Sequence, residues 1–370
     1  MKIRIDKKFI LAALMPAVLF FVSPASFGDS GESVWAQLKT LLMIPGVSGM
    51  EHPVADYLME QIPAQLNPKR DDMHNVWFSI GSGSEHLVFV AHTDELGLIV
   101  EEITREGKLK VSGRGGFIPK MYEGWPVTVY TAENPVDGIV VPRPDYYGRE
   151  QDAAHYQTAD IVIDIGAVSA EDARQIGIAV GDQITIHKQI IELSEDIIAA
   201  RAVDDRAGCA VLLAAMDRLD WGRKWNKKIT FLWDVQEETG LYGAAKMAKQ
   251  LQADYVFPVD TFVSSAGPFD DRRFAYLPLG KGAVIRAVDS SSITPLPYVR
   301  KVMDIARKNR IAFQIGNTRG GNDGSVFVPY GAVDIPLSWP GLYSHSFIEK
   351  IHRSDLIALT DLVIAMVEQW

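Results

Sequence analysis

The sequence predicts an α/β fold: a mainly parallel central sheet flanked by helices, with a small β-barrel-like domain inserted into it. Three observations carry this. Apolar runs at Leu87–Ala91, Ile229–Val235 and Tyr255–Val259 are continuous rather than alternating, as in strands covered on both faces. Segments with helically spaced apolar residues lie before, between and after them. From about Glu101 to His187 the texture changes to short strands separated by Gly, Pro and Asp turns.

Length and composition set the bounds. The chain has 370 residues, 47% of them hydrophobic and 23% charged, which is ample for a large core. Its net charge is −10, and no Lys/Arg-rich run forms a nucleic-acid footprint. The expected division is a signal peptide over 1–28, an α/β domain split between 29–100 and 196–370, and the β-rich insertion over 101–195.

The amino terminus has the layout of a secretory signal. Lys2, Arg4, Lys7 and Lys8 precede an uncharged apolar run, Phe9–Val22, and then Ser23-Pro24-Ala25-Ser26-Phe27-Gly28. That run is interrupted by Pro16 and falls short of the about 20 residues that a membrane span needs. Cleavage after Gly28 and export to the periplasm or medium are expected, with no stable membrane span left afterwards. The single cysteine, Cys209, excludes an intrachain disulfide, and its apolar neighbours make it a buried inert thiol.

Taken in order, Ser33–Leu42 and Pro53–Gln61 have helical spacing, and Leu87–Ala91 runs into His92-Thr93-Asp94-Glu95. In the insertion, Lys108–Ser112, Pro126–Tyr130, Gly138–Val141, Ile161–Ile165 and Gln183–His187 read as strands, with one brief helix at Ala170–Ile176. The Gly113-Arg114-Gly115-Gly116 turn is no phosphate loop, because no helix signal follows it. From Ile197 the α/β pattern resumes, with Asp204-Asp205-Arg206 leading into an apolar helix, Ala207–Leu219. After the Ile229–Val235 strand come a helix over Leu241–Leu251, the Tyr255–Val259 strand ending at Asp260, and a helix over Pro297–Asn309. A glycine-rich turn at Gly320–Gly324, a strand over Val333–Ser338 and a loop bearing His345 precede the last helix, for which Ser354 is the expected N-cap.

The stretch Trp233–Gly240 drives an apolar strand into two adjacent carboxylates, Glu237 and Glu238. Alone, such a pair is more often an exposed acidic turn. Similar polar clusters follow the other predicted strands: His92 with Asp94, Asp204 with Asp205, Asp260, and His345. Histidines and carboxylates gathered at strand ends suit zinc and similar divalent metals. The set exceeds what one tetrahedral ion uses, which favours two metals sharing a carboxylate, with a water activated between them. Adjacent Glu237 and Glu238 rarely face each other across a sugar at the ~5–9 Å that a glycosidase requires, and that reading leaves both histidines idle.

Ala91-His92-Thr93-Asp94-Glu95-Leu96-Gly97, Val203-Asp204-Asp205-Arg206-Ala207-Gly208, Val235-Gln236-Glu237-Glu238-Thr239-Gly240, Val259-Asp260-Thr261 and Ser344-His345-Ser346 occur in that order. Together they resemble the di-metal aminopeptidases of the TET family, which includes glutamyl, leucyl and deblocking enzymes once named cellulases. The resemblance spans nearly everything after the signal, and implies a fold of the di-zinc exopeptidase type. It further implies that Asp204 bridges two metals, that His92 and Asp260 complete one site, and that Glu238 and His345 complete the other. Glu237 would be the general base, Asp94 would orient the His92 ring, and the Asp204–Asp205 peptide would be cis. Asp323 resembles an element near the site. The implied activity is release of amino-terminal residues from short peptides, with two divalent ions per chain: zinc, or cobalt or manganese in its place. The implied assembly is a homo-oligomer such as a dodecamer, with contacts through the β domain. A carboxypeptidase or deacylase with the same metal set, and an exported non-catalytic binding protein, stand as alternatives. Such relatives are mostly cytoplasmic, so the export signal departs from the pattern, as does the Tyr-, Arg- and Asp-rich segment Arg143–Gln157.

Overall fold

The computed structural model describes residues 30–143, 155–272 and 275–370. The signal segment and most of Arg143–Gln157 lie outside these. Among the described residues no helix is long and apolar enough to cross a membrane.

A nine-stranded sheet forms the centre. His86–His92 lies in its middle, parallel to Lys228–Asp234 on one side and Tyr255–Val263 on the other. Tyr255–Val263 also pairs in parallel with Leu337–Gly341, whereas Val76–Ile80 and Ala283–Val288 join antiparallel, nearer the edges. Every residue of His86–His92 is buried. Because side chains alternate along a strand, Leu87, Phe89 and Ala91 pack in the larger core, beneath Val203–Arg218, Arg353–Gln369 and Ser30–Met43. Val88 and Val90 pack in the opposite layer with Met247 and Leu251 of Tyr242–Leu251. Two covered faces account for the unbroken apolar runs.

The inserted strands close into a six-stranded barrel with its own core of Leu98, Val111, Val127, Ile163 and Ile184. Its strands run from Gly97–Ile103 to Gln183–Ile186, so it starts ahead of residue 101. Ile190–Glu192, inside the expected insertion, instead pairs with Ile197–Ala200, which pairs with Glu349–His352. That separate three-stranded sheet corrects a second expectation: Asp204 follows one of its strands, not a strand of the central sheet.

Other differences are local and have physical causes. Val333–Ser338 is two strands, Val333–Asp334 and Leu337–Gly341, divided at Pro336, which has no N–H for a ladder. Asp260 lies inside the Tyr255–Val263 strand rather than after it. The final helix begins at Arg353, and its N-cap is His352, whose Nδ1 accepts from the Ser354 amide at 3.1 Å. Ala283–Val288 and Phe313–Asn317, absent from the sequence reading, are masked by Arg286 in the first and by polar edge residues in the second.

One buried charge cluster joins barrel and sheet. Glu95 accepts from Lys188 at 2.7 Å and Arg201 at 3.0 Å, with Arg206 at 3.7 Å. Burial alone would raise the Glu95 carboxyl, but the three cations pull it down to about 2. Glu95→Ala would strand these cations in the interior and should lower unfolding free energy by about 3–5 kcal/mol. A urea titration reads this as a fall in midpoint, and an unchanged midpoint would refute the cluster's structural role.

Candidate metal centre

Three parallel strands set the site's frame. Their register places Asp234 opposite His92, so the chain leaving Asp234 passes beside His92 and delivers Glu237 and Glu238 there. Asp260 comes from the neighbouring strand and is 8% exposed. Asp204 arrives from the other side, where Val203–Arg218 starts with non-helical geometry and a cis Asp204–Asp205 peptide. Asp205 accepts from the amides of Gly208 at 3.0 Å and His92 at 3.1 Å, tying this turn to the central strand. A Cβ at Gly208 would stand 2.2 Å from the Val259 carbonyl oxygen, so the close approach requires glycine. Cys209 is buried, donates its thiol to the His92 carbonyl oxygen, and is pushed well up by burial, which suits an inert thiol.

The side chains converge. His92 Nε2 lies 3.4 Å from Asp204 Oδ1 and 3.9 Å from Glu237 Oε2. His345 Nε2 lies 3.5 Å from Glu238 Oε2 and 3.9 Å from Asp204 Oδ2. Two donor triads result, His92–Asp204–Asp260 and Asp204–Glu238–His345, each with its ligand atoms within 4.8 Å of one another. Asp204 belongs to both. A further triad joins His92 to Glu237 and Glu238. These gaps exceed an ordinary N–H···O hydrogen bond. Donors about 2.1 Å from a tetrahedral ion stand roughly 3.4 Å from each other, so the spacing and the N/O donor set both fit divalent metal.

Electrostatics point the same way. Burial pushes Glu237 and Glu238 well above the usual carboxylate range, and neighbouring carboxylates add to the shift. Burial also raises Asp260, to about 6, with Asp204 contributing and Arg286 opposing. Asp204 is driven the other way: despite burial, its contact with His92 brings it down to about 2. This concentration of buried carboxylates calls for cations.

Supporting groups fix each donor. Asp94 Oδ1 faces His92 Nδ1 at 3.4 Å. Asp94 also accepts from the Ser48 hydroxyl and from the amides of Glu237 at 3.0 Å and Glu238 at 3.2 Å. One carboxylate thereby orients both the histidine and the glutamate pair. Sequence reading missed Glu349, which is 5% exposed and accepts from the Asp204 amide at 3.1 Å and the His345 amide at 2.8 Å. Its position four residues after His345 was the available signal. Ser344, also missed, donates its hydroxyl to Asp204 at 3.0 Å. Arg286, an arginine within an apolar strand, donates to Asp260 at 3.2 Å and to the Gly321 carbonyl at 2.6 Å, and forms an ion pair with Asp289 at 2.9 Å. The glycine-rich turn also acquires a place. Asn322 donates to Asp289 at 2.7 Å, and Asp323 meets Asp234 carboxyl to carboxyl, both fully buried and pushed up, Asp234 to about 7.

Two donor triads hinged on one carboxylate, with a glutamate left beside them, define a metal-dependent hydrolase. Comparison with known proteins narrows the class. The chain belongs to the M42 glutamyl aminopeptidase family, whose sequence profile matches residues 75–362. It is 28% identical over 344 residues to the glutamyl aminopeptidase of Lactococcus lactis, covering 90% of this chain and 95% of that one. With the lysyl aminopeptidase of Pyrococcus furiosus it shares 26% identity over 344 residues, covering 90% and 97%. The solved TET1 peptidase of Pyrococcus horikoshii superposes with a TM-score of 0.84 at 35% identity, covering 91% of this chain and 100% of that one. That peptidase assembles into a tetrahedron or a large octahedral shell. The protein is a metal-dependent aminopeptidase.

Arg286→Lys keeps one charge but cannot reach Asp260, Asp289 and Gly321 together. Metal affinity should fall about 10–100-fold, measured by chelator competition with folding followed by circular dichroism. A folded variant with unchanged affinity would show that Asp260 is held without it.

Proposed function

We propose that the protein is an exported exo-aminopeptidase acting on short peptides through two divalent ions, zinc first, with cobalt or manganese as substitutes. The observation that carries this is the pair of triads sharing Asp204. In this reading His92 and Asp260 would hold one ion, Glu238 and His345 would hold the other, and Asp204 would be shared by both. Bound there, the ions would supply Lewis acidity to the scissile carbonyl and lower the pKa of water. The rest of the chemistry belongs to the chain. Glu237 is the general base: its carboxylate takes a proton from the attacking water and passes it to the amine nitrogen as the C–N bond breaks. Asp94 is a positioning residue, keeping the His92 ring and the backbone of Glu237 and Glu238 in register.

The barrel is proposed as the assembly domain of a homo-oligomer, supported by the reported assembly of the Pyrococcus horikoshii relative. Export rests on the basic and apolar pattern of residues 1–28. Protein recovered from native cells should begin just after Gly28 by amino-terminal sequencing and scatter light as a multi-subunit particle. A cytoplasmic product beginning at Met1 or Lys2 would overturn the export reading, and a monomer would overturn the assembly.

Glu237→Gln and Glu238→Gln separate the roles of two adjacent, chemically identical residues. The first should keep both metals while turnover falls about 10²–10⁴-fold; the second should lose part of the metal content, read by elemental analysis. The reverse split would exchange the two assignments. Full activity in both would remove the pair from the mechanism, as would activity that survives complete chelation.

A further inference from the structure

Beside the centre lies a cavity of about 500 Å³, lined by Ser48 and Met50, by Gln236, Thr239 and Tyr242, and by Arg114 from the barrel. Its walls are continuous with the site. Ser48 donates to Asp94, and Gln236 and Thr239 bracket the Glu237–Glu238 pair in sequence. Arg114 ends the barrel strand Leu109–Arg114, and the next two residues run against the donors. A Cβ at Gly115, whose φ is +80°, would stand 3.1 Å from Glu238 Cβ, and the Gly116 carbonyl oxygen lies 2.6 Å from His345 Nδ1. Glycine at 115 is therefore required twice, by its left-handed backbone and by the closeness of Glu238.

Arg114 is the one charged residue among those lining the cavity. It stands exposed at the cavity wall and, among the described residues, makes no ion pair. An unengaged guanidinium in a concave, partly apolar space beside a carboxylate-rich centre is suited to an incoming carboxylate, which it can grip through two parallel N–H donors. We propose that this cavity is a substrate subsite in which Arg114 pairs with a carboxylate of the bound peptide. The inference rests on the aminopeptidase reading and extends it to the charge of the substrate. Two sources share this chemistry: an acidic side chain, or the free carboxyl terminus of a short peptide.

The test compares two pairs of peptides, a neutral tripeptide with its carboxyl-terminal amide, and an amidated tripeptide carrying Glu with its Gln counterpart. KM is measured for the metal-loaded wild-type enzyme, Arg114→Gln and Arg114→Lys. Within at least one pair the wild type should prefer the carboxylate member about tenfold, the usual scale of a charged hydrogen bond. That preference should collapse in Arg114→Gln and return in part in Arg114→Lys. The pair that responds identifies the source. Equal KM changes for all four peptides, or ratios untouched by Arg114→Gln, would overturn the proposal. Calorimetric binding of the same peptides to Glu237→Gln, with and without Arg114→Gln, keeps the two readings apart. If the wild type cleaves none of them, the aminopeptidase reading fails, and the binding ratio still decides for or against Arg114.

Discussion

The structure turns on the crowding of buried carboxylates where three parallel strands end. Asp94, Asp204, Asp205, Asp234, Glu237, Glu238, Asp260, Asp323 and Glu349 all gather there. Like charges 4 Å apart repel by about 4 kcal/mol even at an effective dielectric of ~20. A fold can hold such a group only by giving each member a separate means of neutralisation. Asp205 and Asp94 take backbone amides, Asp260 takes Arg286, and burial pushes Asp234 and Asp323, which sit carboxyl to carboxyl, toward their neutral forms. Asp204, Glu238, His92 and His345, together with Asp260, make up the two donor triads whose spacing suits divalent metal.

The same constraint explains why the barrel cannot be a passive insertion. Its Gly115–Gly116 turn passes within contact distance of Glu238 and His345. In return, the loop that carries His345 sends Phe347 into the barrel core, where its ring centroid lies 4.8 Å from that of Tyr122. Glu95, the residue after Asp94, is held by Lys188 from beyond the last barrel strand. Three separate contacts thus tie barrel geometry to donor geometry. A shift of the barrel moves His345, which is the most exposed of the donors.

Burial also sorts residues that look alike in sequence. Asp204 and Asp205 are neighbours with identical chemistry, yet one faces His92 and His345 while the other faces the amides of His92 and Gly208. Their carboxyls move in opposite directions, Asp204 down and Asp205 well up. Glu237 and Glu238 share an environment and a direction, so their roles separate on contacts alone: Glu238 lies beside His345, whereas Glu237 lies beside His92.

What the sequence by itself determined was everything with a short-range signature. Unbroken apolar runs are legible because two covered faces leave no polar positions in a strand, which located His86–His92, Lys228–Asp234 and Tyr255–Val263. Polar residues closing those runs are legible for the same reason, and His92, Glu237 and Glu238 were found that way. What only the tertiary structure decided was how distant segments meet. Arg286 reads as a flaw in a strand until Asp260 and Asp289 are seen on either side of it. Glu349 reads as an ordinary charge until its two oxygens are seen to accept from the amides of Asp204 and His345. The closure of the barrel, the small sheet that brings Asp204 to the centre, and the place of Asp323 against Asp234 belong to this second kind. Pairing between strands depends on register and on contacts across the chain, and local composition carries neither.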